Sequence, residues 1–288
     1  MTILEAIIYG IIQGVAEFLP ISSSGHLALA QNFSDKFFGS GSLSTAAMES
    51  NFTFNIALHL ATLVSVCVVF RKDVLMLIKG CFSFLKKLFT GKIKQGLDSG
   101  EKLFLMLVIA TSPLVPMKLL GVDDMVESLT SFSFAIGLLL IFNGVMLIIC
   151  DKIKNSTKTA ENGGFVRPLG VGIVQACLGI LPGISRSGST ITGGRIFGYS
   201  REEAVRFSFL MSIPAILGAC VTELPDMFEQ GVDMASLMPI LVGAVTAAVV
   251  GFFAIKLLQY LTKNKSFTFF AVYCIVIGIA AVIADKAF

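Results

Sequence analysis

The sequence predicts an all-α polytopic membrane protein, with six transmembrane helices plus two re-entrant helical hairpins arranged as an inverted-topology repeat. Three observations carry that prediction. The 288 residues are 55% hydrophobic and only 14% charged, against roughly 45–50% apolar and about 25% charged in an ordinary soluble domain. The apolar residues lie in blocks of about twenty, long enough as helices to cross a ~30 Å hydrocarbon layer. Two blocks are interrupted by serine-rich turns that match one another.

Taken in chain order, the first block covers residues 3–32 and breaks at Leu19-Pro20-Ile21-Ser22-Ser23-Ser24-Gly25-His26. Its apolar start carries Glu5, Gln13 and Glu17 and no basic residue, so it does not read as a cleavable signal peptide and is expected to stay with the chain. Three unbroken spans follow at about 52–70, 103–121 and 132–150. Residues 168–192 repeat the first arrangement and break at Leu181-Pro182-Gly183-Ile184-Ser185-Arg186-Ser187-Gly188. Three more spans close the chain at about 207–224, 237–260 and 267–284. A lipid-facing helix cannot tolerate such breaks, because the freed backbone groups need partners, so both broken segments read as hairpins that enter the membrane and turn back.

Between Gln13 and Gly25, with one residue inserted in the later copy, the pairs Gln13/Gln175, Leu19/Leu181, Pro20/Pro182, Ser22/Ser185, Ser24/Ser187 and Gly25/Gly188 coincide. The chain is thus one integral membrane domain, 1–288, of two repeats, about 1–151 and 168–288. Three spans after each broken segment put the second copy on the opposite side of the membrane from the first. Charge placement points the same way, since Lys and Arg collect in short cytoplasmic loops. Residues 71–102 hold Arg71, Lys72, Lys79, Lys86, Lys87, Lys92, Lys94 and Lys102 against three acids. Residues 122–131 (Asp123, Asp124, Glu127) and 223–236 (Glu223, Asp226, Glu229, Asp233) hold acids and no Lys or Arg. The first loop is expected inside, the other two outside, with both termini outside.

The net charge is only +3, and no basic run interleaved with aromatics suggests a nucleic-acid surface. The six cysteines are scattered through apolar stretches without CxxC or Cys/His clusters, which removes zinc and disulfide-framework readings and leaves them as small apolar fillers.

The polar residues of the two turns carry the chemistry. Ionisable side chains at membrane depth are costly and mark function. Gln13 and Glu17 are four apart and share a helix face; Glu17 can bind a cation or act as a base. Ser22-Ser23-Ser24-Gly25 and Ser185-Arg186-Ser187-Gly188 each precede a helical run, placing hydroxyls and free backbone N–H groups where anions, phosphate above all, are attracted. Arg186 needs an anion, and its planar fork suits phosphate. His26 can give a proton to a leaving group near neutral pH, and Ser23 is a candidate nucleophile. Ser189 and Thr190 complete the second turn. His59, inside an otherwise apolar span, reads as a packing residue. Together these groups form a phosphoryl-transfer set without a P-loop.

The run Gln13-Gly14-Val15-Ala16-Glu17-Phe18-Leu19-Pro20-Ile21-Ser22-Ser23-Ser24-Gly25-His26 resembles the first signature of the bacterial undecaprenyl-diphosphate phosphatases, the bacitracin-resistance family. Pro182-Gly183-Ile184-Ser185-Arg186-Ser187-Gly188-Ser189-Thr190 resembles the second, PGxSRSGxT. The resemblance covers essentially the whole chain. Many members carry an acid after the phenylalanine that opens the first span; here Phe54 is followed by Asn55, which is left out of the site.

The resemblance implies hydrolysis of undecaprenyl diphosphate to undecaprenyl phosphate plus inorganic phosphate, recycling the lipid carrier for cell-wall synthesis. It implies dependence on a divalent cation, Mg²⁺ or Ca²⁺, with Glu17 as metal ligand. Glu17, Ser23, His26 and Arg186 carry over as catalytic residues. Gln13, Ser22, Ser24, Ser185, Ser187 and Thr190 are taken as substrate-binding. Partners are the lipid substrate and membrane lipids, and a homodimer is an admissible assembly. The implied location is the bacterial plasma membrane, with the site facing the periplasmic or extracellular side. The attacking group is Ser23, or a water that Ser23 and Glu17 position; His26 is an acid or a base. The competing class is a secondary transporter or flippase of a polyprenyl phosphate or other phosphorylated substrate, since inverted repeats and broken helices are also transporter architecture.

Overall fold

The structure is a computed structural model that describes residues 2–38, 52–92, 96–154, 156–159, 164–230, 237–264 and 266–287. Every regular element among the described residues is helical. Lys94 and Asp233, used above in the charge pattern, lie outside the described residues.

The chain opens with α1 (Ile3–Ala16), started by a capping box in which the Thr2 hydroxyl accepts from Glu5 N–H and the Glu5 carboxylate accepts from Thr2 N–H. Its 14 residues reach roughly 21 Å, too short to cross the hydrocarbon layer. The backbone turns at 17–22 and continues as α2 (Ser23–Phe38). The same construction recurs as α9 (Val166–Leu178), a turn at 179–185, and α10 (Arg186–Ile196). Both expected hairpins are therefore present, each a short apolar helix followed by a break and a second helix.

The long helices are α3 (Phe52–Val69), α5 (Ser99–Thr111) continued past Pro113 by the short α6 (Leu114–Leu119), α8 (Ser133–Lys152), α11 (Arg201–Gln230), α12 (Leu237–Asn264) and α13 (Thr268–Ala287). Five spans are long and apolar enough to cross a membrane as they stand, and α3 is the sixth when taken with the helix that follows it. Outward-facing side chains such as Val64, Val68, Leu138, Val145, Val245, Val249, Phe253, Val272 and Val276 are large, apolar and exposed. That surface suits lipid as solvent and not water.

The structure revises three expected boundaries. The basic stretch after α3 is not a loop: residues Arg71–Phe89 form α4, bent 97° from α3. Its lysines alternate with the exposed Leu75, Ile78, Phe82, Leu85 and Phe89, the two-faced pattern of a helix lying in an interface. Glu101, in the first turn of α5, is buried against it, accepting from Ser83 Oγ at 2.6 Å and Lys87 Nζ at 2.7 Å. The acidic 122–131 stretch is helical, with α7 (Val122–Glu127) and a 3₁₀ turn at Ser128–Ser131. Finally, α11 begins at Arg201 and continues to Gln230, through much of the predicted second acidic loop.

Packing places each half against the other. The first hairpin's α1 lies on α12 and the second hairpin's α9 lies on α5, while α3 packs on α11 and α8 on α13. Small residues allow these approaches: a Cβ added at Gly10 would sit 2.6 Å from the Gly243 carbonyl oxygen, and one at Gly14 would sit 2.8 Å from that of Ala247. The α8–α13 pair behaves alike, with Gly144 against the Ala271 carbonyl at 2.6 Å. With α1 and α9 clamped this way, the two turns at their ends point at each other.

Candidate active site

Each turn is built from its own serines. Ser22 caps α2, its hydroxyl accepting from Gly25 N–H at 3.2 Å; Ser185 caps α10, accepting from Gly188 N–H at 3.1 Å. A second hydroxyl stands beside each cap, Ser24 at 3.4 Å from Ser22 and Ser187 at 3.0 Å from Ser185. The matched residues of the two copies therefore make matched contacts. The backbone paths differ where the insertion falls: the left-handed step is taken by Ser22 (φ 73°) in the first turn and by Gly183 (φ 101°) in the second. Ser22 is the only non-glycine residue among the described ones with positive φ, a conformation costly for a residue with a Cβ.

The turns are held in contact by Asn143 of α8, fully buried. Its Nδ2 donates to the Pro20 carbonyl at 2.9 Å, and its Oδ1 accepts from Ser185 N–H at 3.0 Å. Ser187 Oγ reaches the Leu19 carbonyl at 3.4 Å. Gly25 and Gly183 pass so closely that a Cβ on the former would lie 2.8 Å from the Cα of the latter.

Glu17 is the centre of the assembly, its side chain only 4% exposed. Arg186 from the opposite turn donates to Glu17 Oε1. Oε2 accepts from Gln13 Nε2 at 3.1 Å and from Ser23 Oγ at 3.1 Å. The other amide hydrogen of Gln13 faces His59 Nδ1 at 3.2 Å, and that ring nitrogen lies 4.0 Å from Glu17 Oε2. A carboxylate buried this deeply persists because two neutral donors and a guanidinium surround it. The structure thus brings together Gln13, Glu17, Ser23 and Arg186 from the predicted set. Ser22 and Ser185 serve as caps, and Ser24 is exposed at the rim. Ser189 Oγ and Thr190 Oγ1 bond back to the Arg186 carbonyl at 2.8 and 2.9 Å, and Thr190 Oγ1 also meets Ser208 Oγ at 2.6 Å.

His26 sits one turn further along α2. Its Nδ1 is 2.8 Å from the Ser22 carbonyl, which can only accept, so Nδ1 carries the proton. In the neutral ring Nε2 then accepts from Tyr273 Oη at 2.9 Å, and the two rings stack with centroids 5.5 Å apart. Hydrogen bonds among the described residues join His26 to neither Ser23 nor Glu17.

Four side chains here were not singled out for the site by sequence reading. His59 was read as packing, and α3 instead turns it toward Gln13. Asn143 and Tyr273 sit in apolar spans; a lone asparagine at the centre of such a span was the available signal. Gln175 was noted only as the mate of Gln13, and it proves buried beside the Glu17–Arg186 pair.

The fold and site define a polytopic membrane protein whose buried carboxylate–guanidinium pair and serine-capped helix ends suit phosphate chemistry. The chain belongs to the family described as Bacitracin resistance protein BacA, which it matches over residues 6–280. Similar curated relatives cover 97–100% of its length. The Undecaprenyl-diphosphatase of Halothermothrix orenii is 35% identical over 290 residues, covering 100% of both chains. That of Methanobrevibacter smithii is 36% identical, covering 97% of this chain and 96% of the relative. That of Treponema denticola is 39% identical, with the same coverage.

Proposed function

We infer that the protein hydrolyses undecaprenyl diphosphate to undecaprenyl phosphate and inorganic phosphate within the membrane. The observation that carries this reading is the composite site: Glu17 and Ser23 from one turn, Arg186 from the other, in a chain matched end to end by relatives named for that activity. Phosphoryl transfer needs little beyond positioning and charge stabilisation, and these residues supply both.

Ser23 Oγ, donating to Glu17, is an attacking oxygen with a base in place; as its bond to the terminal phosphorus forms, the proton passes to the carboxylate and the bridging P–O bond breaks, its electron pair leaving with undecaprenyl phosphate, which takes that proton. Arg186 holds the terminal phosphoryl oxygens, and the N-terminal ends of α2 and α10 add backbone donors. Holding the Ser22 carbonyl is assigned to His26, because both its ring nitrogens are engaged. It thereby maintains the left-handed turn that presents Ser23.

A divalent cation fits the donor set in one limited way. Three of about four lone-pair sites on Glu17 are already used, leaving one for a metal. Among the described residues no group of three His, Cys, Asp or Glu could hold an ion. Glu17 would therefore supply a single ligand, and the substrate's diphosphate together with water the rest, as is usual for Mg²⁺. When bound, the ion supplies charge neutralisation between the phosphates.

The family resemblance supports a site open to the periplasmic or extracellular side, with the isoprenoid tail in grooves between the spans. The purified protein in detergent with Mg²⁺ is expected to release inorganic phosphate from undecaprenyl diphosphate. Absence of release by folded protein, combined with lipid translocation in liposomes, would replace hydrolysis with transport.

A further inference from the structure

Hydrolysis consumes one water, and the hydrogen-bond inventory around Glu17 points to where it is held. In the first repeat Gln13 spends its amide hydrogens on Glu17, four residues on, and on His59. In the second repeat Gln175 occupies the matching position, but four residues on stands Gly179, which has no side chain to accept. Gln175 is nevertheless 1% exposed, and its Nε2 has no hydrogen-bond partner among the described residues. A buried amide left without an acceptor is costly, so its placement calls for an acceptor from outside the chain.

The amide borders a cavity of about 10 Å³, lined also by Glu17, Arg186, Thr190, Ser208 and Ser212. That is room for the centre of one water molecule, and the lining is polar enough to give it the two to four partners a buried water requires. We propose that Gln175 is a positioning residue that holds the hydrolytic water against Glu17. This assignment rests on the phosphatase reading above. After undecaprenyl phosphate has left, the water oxygen forms a bond to the phosphorus carried on Ser23 Oγ and its proton passes to the Glu17 carboxylate. The Ser23 Oγ–P bond breaks, its electron pair staying on Oγ, which takes the proton back from Glu17 as inorganic phosphate departs.

The test is steady-state phosphate release by the full-length protein and its Gln175→Leu, Gln175→Asn and Gln175→Ala variants, with and without added methanol. Gln175→Leu fills the same space without the donor; it loses about 100-fold in kcat with KM within about twofold. Gln175→Asn keeps the amide and retains intermediate kcat, which separates loss of the donor from loss of the fold. Gln175→Ala opens the cavity, so methanol competes with water and methyl phosphate appears by ³¹P NMR, while wild type gives inorganic phosphate alone. Wild-type kcat in Gln175→Leu, or a rise in KM at constant kcat, overturns the proposal and makes the amide a substrate contact or a bystander. Failure of wild type itself to release phosphate overturns the phosphatase reading instead.

Discussion

Arg186 is a residue whose geometry, as much as its charge, matters. It reaches across from the second turn to Glu17 through one guanidinium nitrogen, with its side chain 28% exposed. Lysine keeps the charge and loses the fork. Arg186→Lys is expected to lower kcat/KM by about 100-fold, measured as phosphate release; unchanged kcat/KM would mean that a point charge suffices. Tyr273 makes a finer prediction. Its hydroxyl caps His26 Nε2, which fixes the proton on Nδ1 and so the bond to the Ser22 carbonyl. Tyr273→Phe should release the ring to exchange tautomers, visible in the ¹⁵N shifts of His26, at a stability cost of about 1 kcal/mol. An unchanged Nδ1–H signature would show that Ser22 alone sets the tautomer.

Much of the site was legible at this scale where neighbours in space are neighbours in sequence. Gln13 and Glu17 share a face because a helix repeats every 3.6 residues, and Ser185 caps Gly188 because a cap reaches two or three residues on. His59, Asn143 and Tyr273 were not legible as site residues. Their partners are 46, 123 and 247 residues away, and no local rule links them.

At the scale of elements the two hairpins and a single asparagine matter most. Asn143→Ala would leave the buried Ser185 N–H without a partner and the Pro20 carbonyl with only the weak Cys274 Sγ donor at 3.9 Å, at about 1–3 kcal/mol for an orphaned group. The expected outcome is a lower midpoint of thermal unfolding in detergent together with loss of phosphate release, since the turns are no longer locked in register. Retained activity at wild-type stability would show that the turns hold each other without α8. The broken segments themselves were readable, because proline, glycine and serine interrupt apolar runs that lipid would not forgive. The helix α4 was missed as a helix, since its lysines were counted for their charge and its apolar face was not. Helix ends were also misplaced where charged residues extend a span, as at Arg201 in α11.

At the scale of the whole molecule, the halves exchange partners: α1 is carried by α12, and α9 by α5. We read this as the inverted repeat that the matched turns suggested, and it carries an orientation. In a variant stripped of its native cysteines, a cysteine at the exposed Ser128 should react with an impermeant thiol reagent applied outside the cell, and one at the exposed Lys92 should not. Outside labelling at Lys92 would invert the orientation and move the site to the other face.

The central claim is that one catalytic unit is assembled from two turns belonging to different halves of the chain. Its most direct test is phosphate release from undecaprenyl diphosphate by Ser23→Ala, Arg186→Ala and the double variant, each checked for folding. Groups acting as a unit are non-additive. The account predicts that either single change removes nearly all of kcat/KM and that the double variant is no worse than the more damaged single. Losses that multiply, or substantial activity in either single variant, would contradict it.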